Sequence, residues 1–562
     1  MIRAEMENGA LRPAASGAAD RKAWPSDPDA GGLPPPCGET PTFRPPAPQL
    51  QLASTCEARA PLRMVTLLRT ESARAAGPML FSSIIFIFYF LPVFLLGYYL
   101  SGWRTGALLT GSVVFYVWGE GPYVLLLGAL ILLNWAASQA IARYEAKGAR
   151  RVILAGVVTL DLTVLAFFKY AGFLAHNLNA ALPHLGFQGR LMPEIHLALP
   201  LGISFFTFQL ISYVADVYLR AVPVERGLTR FAAYILMFPH LIAGPIVRYA
   251  DIRHELHADR RETGQVGLGL QYFIVGLCQK VLVANTVAPL ADHAFNMPVA
   301  GLDPTTAWTG AFAYMLQIYF DFCGYSNMAI GLAFLMGFTF PKNFDHPYVS
   351  RSLTEFWRRW HISLSSWFRD YVYIPLGGNR RGLWITVRNL MVVFLLTGFW
   401  HGAAWNFIAW GLYHGAFLLV ERFGLGKALE RAPKLVGHAY AIVVVLMGWV
   451  LFRATSFDQA VHYWRVMADL GHAGPPDVAL RILLSNEAIA ALVLGSVFAM
   501  PVLPWICERL RRPKLSPALH LPARLDPHGV HVLSATLLVT GLTLSLAKLA
   551  GSSLNPFLYF RF

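Results

Sequence analysis

Long apolar runs alternate with short polar loops from residue 80 to the end of the chain. Several of these runs approach or reach the ~20 residues that an α-helix needs to cross a bilayer. The first covers residues 80–100 and the last covers residues 530–549. Counted along the chain, the runs predict an all-α polytopic membrane protein with about eleven transmembrane helices.

Lysine and arginine cluster in some of the loops and are nearly absent from others. The loop at residues 143–151 carries four of them, whereas the loop at residues 176–196 carries only Arg190. The positive-inside rule therefore places the first loop in the cytoplasm and the second outside. Continued along the chain, this alternation places the basic stretch at residues 343–382 on the cytoplasmic side.

The apolar run at residues 231–247 has basic residues at both ends and contains Pro239, Gly244 and Pro245. Proline and glycine interrupt helices, and a straight crossing here would break the charge alternation. The run therefore predicts a re-entrant hairpin, which is tolerated in a membrane only where protein surrounds it.

Three ionisable residues, Asp161, Lys280 and Asp321, lie inside other apolar runs. Each would cost about 2.5–3.5 kcal/mol if it faced lipid at the bilayer centre. We therefore expect all three to face the protein interior. For Asp321 a structural hydrogen-bond network is favoured, with a substrate role as the alternative.

Composition supports the membrane class and excludes others. The 562 residues are 56% hydrophobic and 14% charged, and the mean hydropathy is +0.47. The formal net charge is +14, but the basic residues sit in loops between apolar runs, so we expect no nucleic-acid partner. The five cysteines form no CxxC pair, and we expect no metal site.

Residues 1–78 differ from the rest of the chain. They are rich in Ala, Pro and Arg and lack sustained apolar periodicity, which predicts a disordered extension. Met79 opens the first apolar run, so we expect that the native product begins there and that the extension is foreign to it. A genuine disordered tail is the alternative.

Aromatic residues recur at helical spacing in the central stretch. Trp357, Trp360, Leu364 and Trp367 are separated by three, four and three residues, which places them on one face of a helix. This pattern predicts one interfacial amphipathic helix with its tryptophans at the depth of the lipid headgroups. His361 lies within it, either as a packed interfacial residue or as a functional one.

The segment GGNRRG at residues 377–382 follows this stretch. It lacks the GK[ST] of a phosphate-binding Walker loop. Arg380 and Arg381 are weak candidates for binding the phosphates of an acyl carrier such as coenzyme A. The alternative is a charge pair that only sets the topology.

His401 lies between the apolar runs at residues 390–400 and 403–419. An ionisable group is costly at this depth, which makes a function the leading hypothesis. The separation from His361 is 401 − 361 = 40 residues, enough for one interfacial helix, a turn and an entering span. Both imidazoles can therefore converge on one cavity, where desolvation favours a neutral ring that can take a proton from a hydroxyl.

Five segments of the chain are distinctive. They are FPHLIAGPIVRY (238–249), QIYFDFCGYSNMAIGLAFLMGF (317–338), EFWRRWHISLSSWFRDYVYIPLGGNRRG (355–382), GFWHGAAWNFIAWGLYHG (398–415) and PFLYFRF (556–562). Through these segments the chain resembles the membrane-bound O-acyltransferases, and within that family the bacterial branch of alginate O-acetylation. The resemblance runs from Met79 to Phe562. The resemblance implies helices around a central tunnel, with His401 as the catalytic histidine and His361 as the second active-site residue. Asp345 and His346 depart from the uncharged pair more usual in this branch.

The resemblance further implies a multi-pass protein of the bacterial inner membrane that transfers an acetyl group. Acetyl-CoA is the expected cytoplasmic donor. On the other side, a periplasmic partner resembling an SGNH hydrolase is expected to pass the acetyl group to an exported polysaccharide. His401 is expected to act as a general base or to form a transient acyl-histidine, and His361 to orient the donor or stabilise the oxyanion.

Two alternatives remain open from the sequence. Closely similar membrane subunits transfer D-alanine to teichoic acid, or acylate cellulose or peptidoglycan. A protein of another class, a transporter or a docking protein without catalysis, would use the histidines to line a pore.

Overall fold

The computed structural model describes residues 79–186, 192–193, 195, 197–258, 265–298, 301–469, 477–502, 505 and 527–551. These residues form helices and connecting loops without a β-strand. The predicted extension at residues 1–78 and the closing segment PFLYFRF lie outside the described residues.

The helices are numbered here in chain order. They are α1 (Phe86–Leu100), α2 (Arg104–Glu120), α3 (Tyr123–Arg143), α4 (Lys147–Ala181), α5 (Ile203–Leu219), α6 (Leu228–Leu236), α7 (Phe238–Leu241), α8 (Tyr249–His257), α9 (Val266–Asn296), α10 (Pro304–Leu335), α11 (Leu353–Arg359), α12 (Ile362–Phe368), α13 (Leu383–His401), α14 (Trp405–Val420), α15 (Gly426–Arg431), α16 (Lys434–Arg453), α17 (Phe457–Ala468), α18 (Val478–Leu483), α19 (Asn486–Phe498) and α20 (Pro527–Gly551).

The all-α polytopic fold class is confirmed. Seven of the described helices are long and apolar enough to cross a membrane, namely α3, α4, α9, α10, α13, α16 and α20. Three further apolar helices, α1, α5 and α19, have only 10–17 residues. The long helices are fewer than the about eleven crossings predicted, because apolar runs in the sequence fold into pieces shorter than a straight crossing needs.

Helix α10 forms the centre of the protein. Of its most apolar window, 89% is buried inside the protein, so it contacts other helices along nearly its whole length. Helix α9 packs against it through glycines. A Cβ atom added to Gly276 would lie 2.4 Å from the Gly324 carbonyl oxygen, and one added to Gly269 would lie 2.8 Å from that of Gly331. Small residues thus let the two backbones touch, as is typical of helix pairs in membranes.

The close approach of α9 and α10 brings two buried charges together. Lys280 of α9 and Asp321 of α10 form an ion pair, and both side chains are almost completely buried. Asp161 of α4 is also buried and accepts a hydrogen bond of 2.9 Å from Asn134 Nδ2 of α3. The prediction that these three ionisable residues face the protein interior is confirmed.

The run at residues 231–247 is interrupted where its prolines and glycine predicted a break. Helix α6 ends at Leu236, Met237 leaves helical geometry, and only the four residues of α7 follow. Gly244 then adopts a φ of 140°, which only glycine accommodates easily. Phe238 and His240 are fully buried, so protein surrounds this irregular backbone.

The prediction of a single interfacial helix at the tryptophan stripe is wrong. The segment forms two short helices, α11 and α12, which are separated at Trp360 and His361. The tryptophans are buried by protein, with 8% of Trp357 and 5% of Trp367 exposed. Trp357 packs against Trp410 of α14, with ring centroids 5.8 Å apart. Aromatic residues on one helix face fit a protein interior as well as a headgroup layer, so their spacing could not separate the two.

We predict that the buried pair of Lys280 and Asp321 is needed as a pair. Lys280→Met leaves a buried carboxylate without its cation and should cost about 3–5 kcal/mol of stability. Lys280→Met combined with Asp321→Leu should recover most of that loss, because no unpaired charge remains. Thermal unfolding of the detergent-solubilised protein measures the effect.

The matched control for this prediction is the exposed pair of Lys342 and Asp345, whose charged atoms lie 2.6 Å apart. Lys342→Met should change the stability by less than about 1 kcal/mol, because water screens that pair. A double variant as unstable as Lys280→Met alone would show that the buried pair does more than balance charge.

Candidate active site

His401 is the last residue of α13 and lies in a box of aromatic rings. Its ring centroid is 4.9 Å from that of Trp400, 5.0 Å from that of Trp410 and 5.2 Å from that of Phe452. Only 5% of the residue is exposed. The structure therefore places this predicted site residue inside the protein, where three aromatic rings fix the position of the imidazole.

Close packing of α13 against α14 explains why His401 lies directly before a turn between two helices. A Cβ atom on Gly398 would lie 2.3 Å from the Phe407 carbonyl oxygen, and one on Gly411 would lie 2.2 Å from that of Phe394. The chain turns at residues 402–404, and the extended backbone of Gly402 ends α13 directly after His401. The glycines thus allow a tight helical hairpin with the imidazole at its tip.

His361 links α11 to α12 and adopts a left-handed conformation, with φ of 44°. Its side chain is completely buried, and its Nδ1 lies 3.2 Å from Asn343 Oδ1. The backbone N–H of Ser363 donates to the same Asn343 atom at 3.2 Å, and its hydroxyl group donates at 2.9 Å. This oxygen accepts all three bonds.

These contacts define the tautomer of a neutral His361 ring. A backbone N–H can only donate, so the Asn343 atom that it reaches must be the oxygen. His361 Nδ1 therefore carries the proton and donates to Asn343. Its Nε2 then holds a lone pair, and this nitrogen has no hydrogen-bond partner in the part of the chain that the structure describes.

The two histidines converge, as their separation of 40 residues allowed. Both rings contact the Trp400 ring, with centroid distances of 6.1 Å for His361 and 4.9 Å for His401. Their catalytic roles stay predictions.

A cavity of about 100 Å³ adjoins His401. Its walls come from α4, from α5 and the loop before it, from the broken segment after α7, and from the end of α13. The lining residues are Lys169, Leu199, Pro200, Leu201, Gly202, Ile203, Ser204, Phe205, Ile242, Trp400 and His401. Residues 199–202 directly follow the loop at residues 176–196, which the charge pattern predicts to be outside. That orientation stays a prediction.

Lys169 is a site residue that the sequence reasoning missed. Its Nζ donates to the carbonyl oxygens of Trp400 at 2.5 Å and His401 at 3.1 Å, and lies 3.4 Å from Ser204 Oγ. Lys169 lies eight residues after Asp161 in the same apolar helix, so the cost of a charge at that depth, which singled out Asp161, applies equally to it. Asn343 was missed too, because nothing local connects it to His361.

Arg380 and Arg381 lie far from the two histidines. Both are exposed in the turn that precedes α13, where Gly377, Gly378 and Gly382 have positive φ angles. His401 is at the other end of that helix, about 27 Å away for a helix of this length. The structure therefore separates these two arginines from the candidate catalytic histidines, although it leaves them accessible to a ligand.

Comparison with known proteins identifies the family. The family model described as "MBOAT, membrane-bound O-acyltransferase family" matches residues 219–457, which include His361 and His401. The "Probable alginate O-acetylase AlgI" of Azotobacter vinelandii is 41% identical over 512 residues, covering 86% of this chain and 100% of the relative. The chain belongs to the membrane-bound O-acyltransferase family. The resemblance predicted from the sequence is thereby confirmed.

Other similar proteins show the breadth of these membrane-bound O-acyltransferases. A protein of the same name from Pseudomonas putida is 40% identical over 494 residues, covering 86% of this chain and 100% of the relative. The "Peptidoglycan O-acetyltransferase" of Helicobacter pylori is 34% identical over 429 residues, covering 70% of this chain and 80% of the relative. The chain is thus a membrane protein and an O-acyltransferase.

We predict that Asn343 sets the reactivity of His361 through the bond to Nδ1. Asn343→Ala removes this acceptor, so the ring loses its defined tautomer and orientation, and acyl transfer should fall by about 10-fold or more, up to the 10²–10⁴ that loss of a proton-transfer group costs. Asn343→Asp keeps an oxygen at this position and should retain more activity. Single-turnover acyl transfer by the purified protein measures the rates.

The matched control is Asn134→Ala. Asn134 is also a buried asparagine with a side-chain partner, Asp161, but it lies on α3, outside the cavity lining. This variant should lose stability while the folded fraction keeps its activity. Unchanged activity in Asn343→Ala would refute the tautomer assignment.

Proposed function

We propose that the protein takes an acetyl group from acetyl-CoA on the cytoplasmic side of the bacterial inner membrane and transfers it across the membrane. The acetyl group then O-acetylates an exported polysaccharide, alginate or a similar exopolysaccharide. The observation that carries this proposal is the match to two relatives named as probable alginate O-acetylases, at 40–41% identity over their entire length. The buried pair of histidines beside a cavity supports it chemically. In this proposal a periplasmic partner that resembles an SGNH hydrolase accepts the acetyl group and passes it to the polysaccharide.

The positions of the cavity and the arginines support entry from opposite sides. The cavity adjoins residues 199–202, which directly follow the loop at residues 176–196 predicted to be outside, and this suits the acceptor hydroxyl. Arg380 and Arg381 are exposed at the opposite end of α13, on the predicted cytoplasmic side, where guanidinium groups suit the phosphates of the donor. The acetyl group would therefore reach His401 from one side and leave on the other.

His401 acts in this proposal as the general base. Its imidazole takes the proton of the acceptor hydroxyl, and the hydroxyl oxygen forms a bond to the acetyl carbon. The carbon–sulfur bond of the thioester then breaks, and the proton passes from His401 to the departing sulfur. Base catalysis of this kind contributes on the order of 10²–10⁴ to the rate.

His361 orients the donor in this proposal. The neutral ring already donates from Nδ1 to Asn343, so Nε2 offers only a lone pair. A lone pair accepts a hydrogen bond from an N–H group, such as an amide of the donor's arm, but cannot stabilise an oxyanion. The geometry therefore favours the orienting role over the oxyanion role.

Acetylation of peptidoglycan is the second candidate. The peptidoglycan O-acetyltransferase of Helicobacter pylori matches 70% of this chain, against 86% for the alginate relatives. The longer and closer match favours the alginate type. Analysis of both polymers from the same cells separates the two functions.

We predict that His401→Ala abolishes acetylation. Cells that lack the protein are complemented with wild type, His401→Ala or His438→Ala, and the ester-linked acetyl content of the exported polysaccharide is measured. His401→Ala should leave it at the background of the deletion, because the base is lost. His438→Ala is the control, since this histidine lies on α16 and contacts the Ser350 carbonyl oxygen at 3.2 Å.

Each outcome of this experiment has a distinct meaning. Full acetylation with His401→Ala would show that the imidazole is structural. Failure of the wild-type protein to restore acetylation of any polysaccharide would refute the proposed acceptor.

We also predict that the arginines affect donor binding and not the chemical step. The double variant Arg380→Ala with Arg381→Ala should raise the KM for acetyl-CoA by about 10-fold or more, since hydrogen bonds to charged groups contribute about 1.5–3 kcal/mol. The value of kcat should stay the same, because the arginines are remote from His401. Initial rates in proteoliposomes measure both constants.

Arg422→Ala provides the control, because Arg422 is exposed in a different place, the helical segment Glu421–Leu425 that follows α14. Its KM should match that of the wild type. An unchanged KM in the double variant would mean that Arg380 and Arg381 serve only to set the topology.

A further inference from the structure

The C-terminal end of α13 is held by side chains of a distant helix. The last four carbonyl groups of an α-helix have no partner within the helix. Here the first of the four accepts a backbone N–H, at 3.4 Å, and α4 supplies donors to the other three through Lys169 and Tyr170. The four carbonyl groups belong to Gly398, Phe399, Trp400 and His401.

The donors are arranged in order along this helix end. Tyr170 donates its hydroxyl to Phe399, and its ring stacks on the Phe399 ring at a centroid distance of 4.2 Å. Lys169, the preceding residue, spans the last two carbonyl groups, which belong to Trp400 and His401. The cation therefore lies against the peptide group of the histidine itself.

Lys169 has an unusual environment for a lysine in a membrane helix. Among the described residues, no carboxylate oxygen lies within 4 Å of its Nζ, whereas Lys280 is paired with Asp321. Two carbonyl oxygens and the Ser204 hydroxyl lie within hydrogen-bond distance of the Lys169 ammonium, and the Trp400 ring centroid is 5.9 Å from it. The partner of its charge is thus the negative end of the α13 dipole, equivalent to roughly half an elementary charge.

This arrangement makes the position of the imidazole depend on Lys169. The aromatic rings fix the His401 ring from the sides. The helix that carries this ring ends at His401, and the next residue, Gly402, has no side chain to hold the backbone in place. Without Lys169, the carbonyl groups of Trp400 and His401 would each lose a hydrogen bond from a charged donor, and such a bond contributes about 1.5–3 kcal/mol. The last turn would then rearrange to find other donors, and the ring would move relative to the cavity.

We propose that Lys169 is a positioning residue for His401, which fixes the last turn of α13 so that the imidazole faces the cavity. This inference rests on the proposed acyl transfer at His401. Lys169 precedes residues 219–457, so it lies outside the segment matched by the family model. Its role follows from the contacts of this chain alone.

The test compares three substitutions of Lys169 with the neighbouring Tyr170→Phe. Lys169→Met keeps most of the aliphatic stem and removes the charge and all donors. Lys169→Gln keeps a neutral donor, and Lys169→Arg keeps a cation with several donors. Tyr170→Phe removes the bond to Phe399 but preserves the ring stacking, so it tests loss of a carbonyl donor one residue further from His401.

Lys169→Met should lower kcat by about 10²-fold with the KM for acetyl-CoA unchanged, because a displacement of about 1 Å at a reacting group has an effect of that size. Lys169→Arg should restore at least a tenth of the wild-type kcat, and Tyr170→Phe should stay within a few-fold of it. Initial rates with purified protein in proteoliposomes give kcat and KM, and thermal unfolding reports the folded fraction. If Lys169→Met does not fold, Lys169→Gln replaces it, with a smaller expected loss in kcat alone.

The results separate this proposal from the proposed function. If Lys169→Met keeps wild-type kcat while His401→Ala is inactive, the role of Lys169 is refuted and acyl transfer at His401 stands. If Lys169→Met alters only the KM for the acceptor, Lys169 binds substrate and does not position His401. If His401→Ala is fully active, the proposed function fails and the role of Lys169 fails with it.

Discussion

A helix that ends in apolar surroundings must find partners for its last carbonyl groups within the protein, and the site depends on this constraint at His401. Here α4 provides a lysine and a tyrosine from a point more than 200 residues earlier in the chain. The same helix end turns sharply at Gly402 and packs on α14 through Gly398 and Gly411. The location of the imidazole, the cavity beside it and the hairpin that carries it are thus consequences of one terminated helix.

His361, at the break between α11 and α12, is likewise held by a partner from outside these two helices. A left-handed conformation costs a residue other than glycine about 1–3 kcal/mol, and it persists only where its surroundings enforce it. Asn343 enforces it twice, since its side chain binds the His361 ring and its carbonyl oxygen accepts the N–H of Ile362 at 2.9 Å. The contacts that hold the backbone therefore also select the nitrogen that keeps a lone pair.

Features that depend on local rules could be predicted from the sequence, and features that depend on distant partners could not. The cost of a charge in a bilayer identified Asp161 and His401, and the prolines and Gly244 located the broken segment. The division between α11 and α12 has no local signal, because the tryptophan spacing persists across it and Asn343 imposes it from outside. Lys169 carried a signal, but its meaning lay in carbonyl groups that only folding brings to it.

Helix α13 separates the two places that the proposed donor would have to reach. Its first residues follow an exposed pair of arginines, and its last residue is a buried histidine about 27 Å away. In the proposed reaction, a donor held at the arginines can react at His401 only if an arm of similar length joins its phosphates to its acyl group. A compact acyl donor could not engage both ends, so the length of α13 sets a requirement that the proposed donor has to meet.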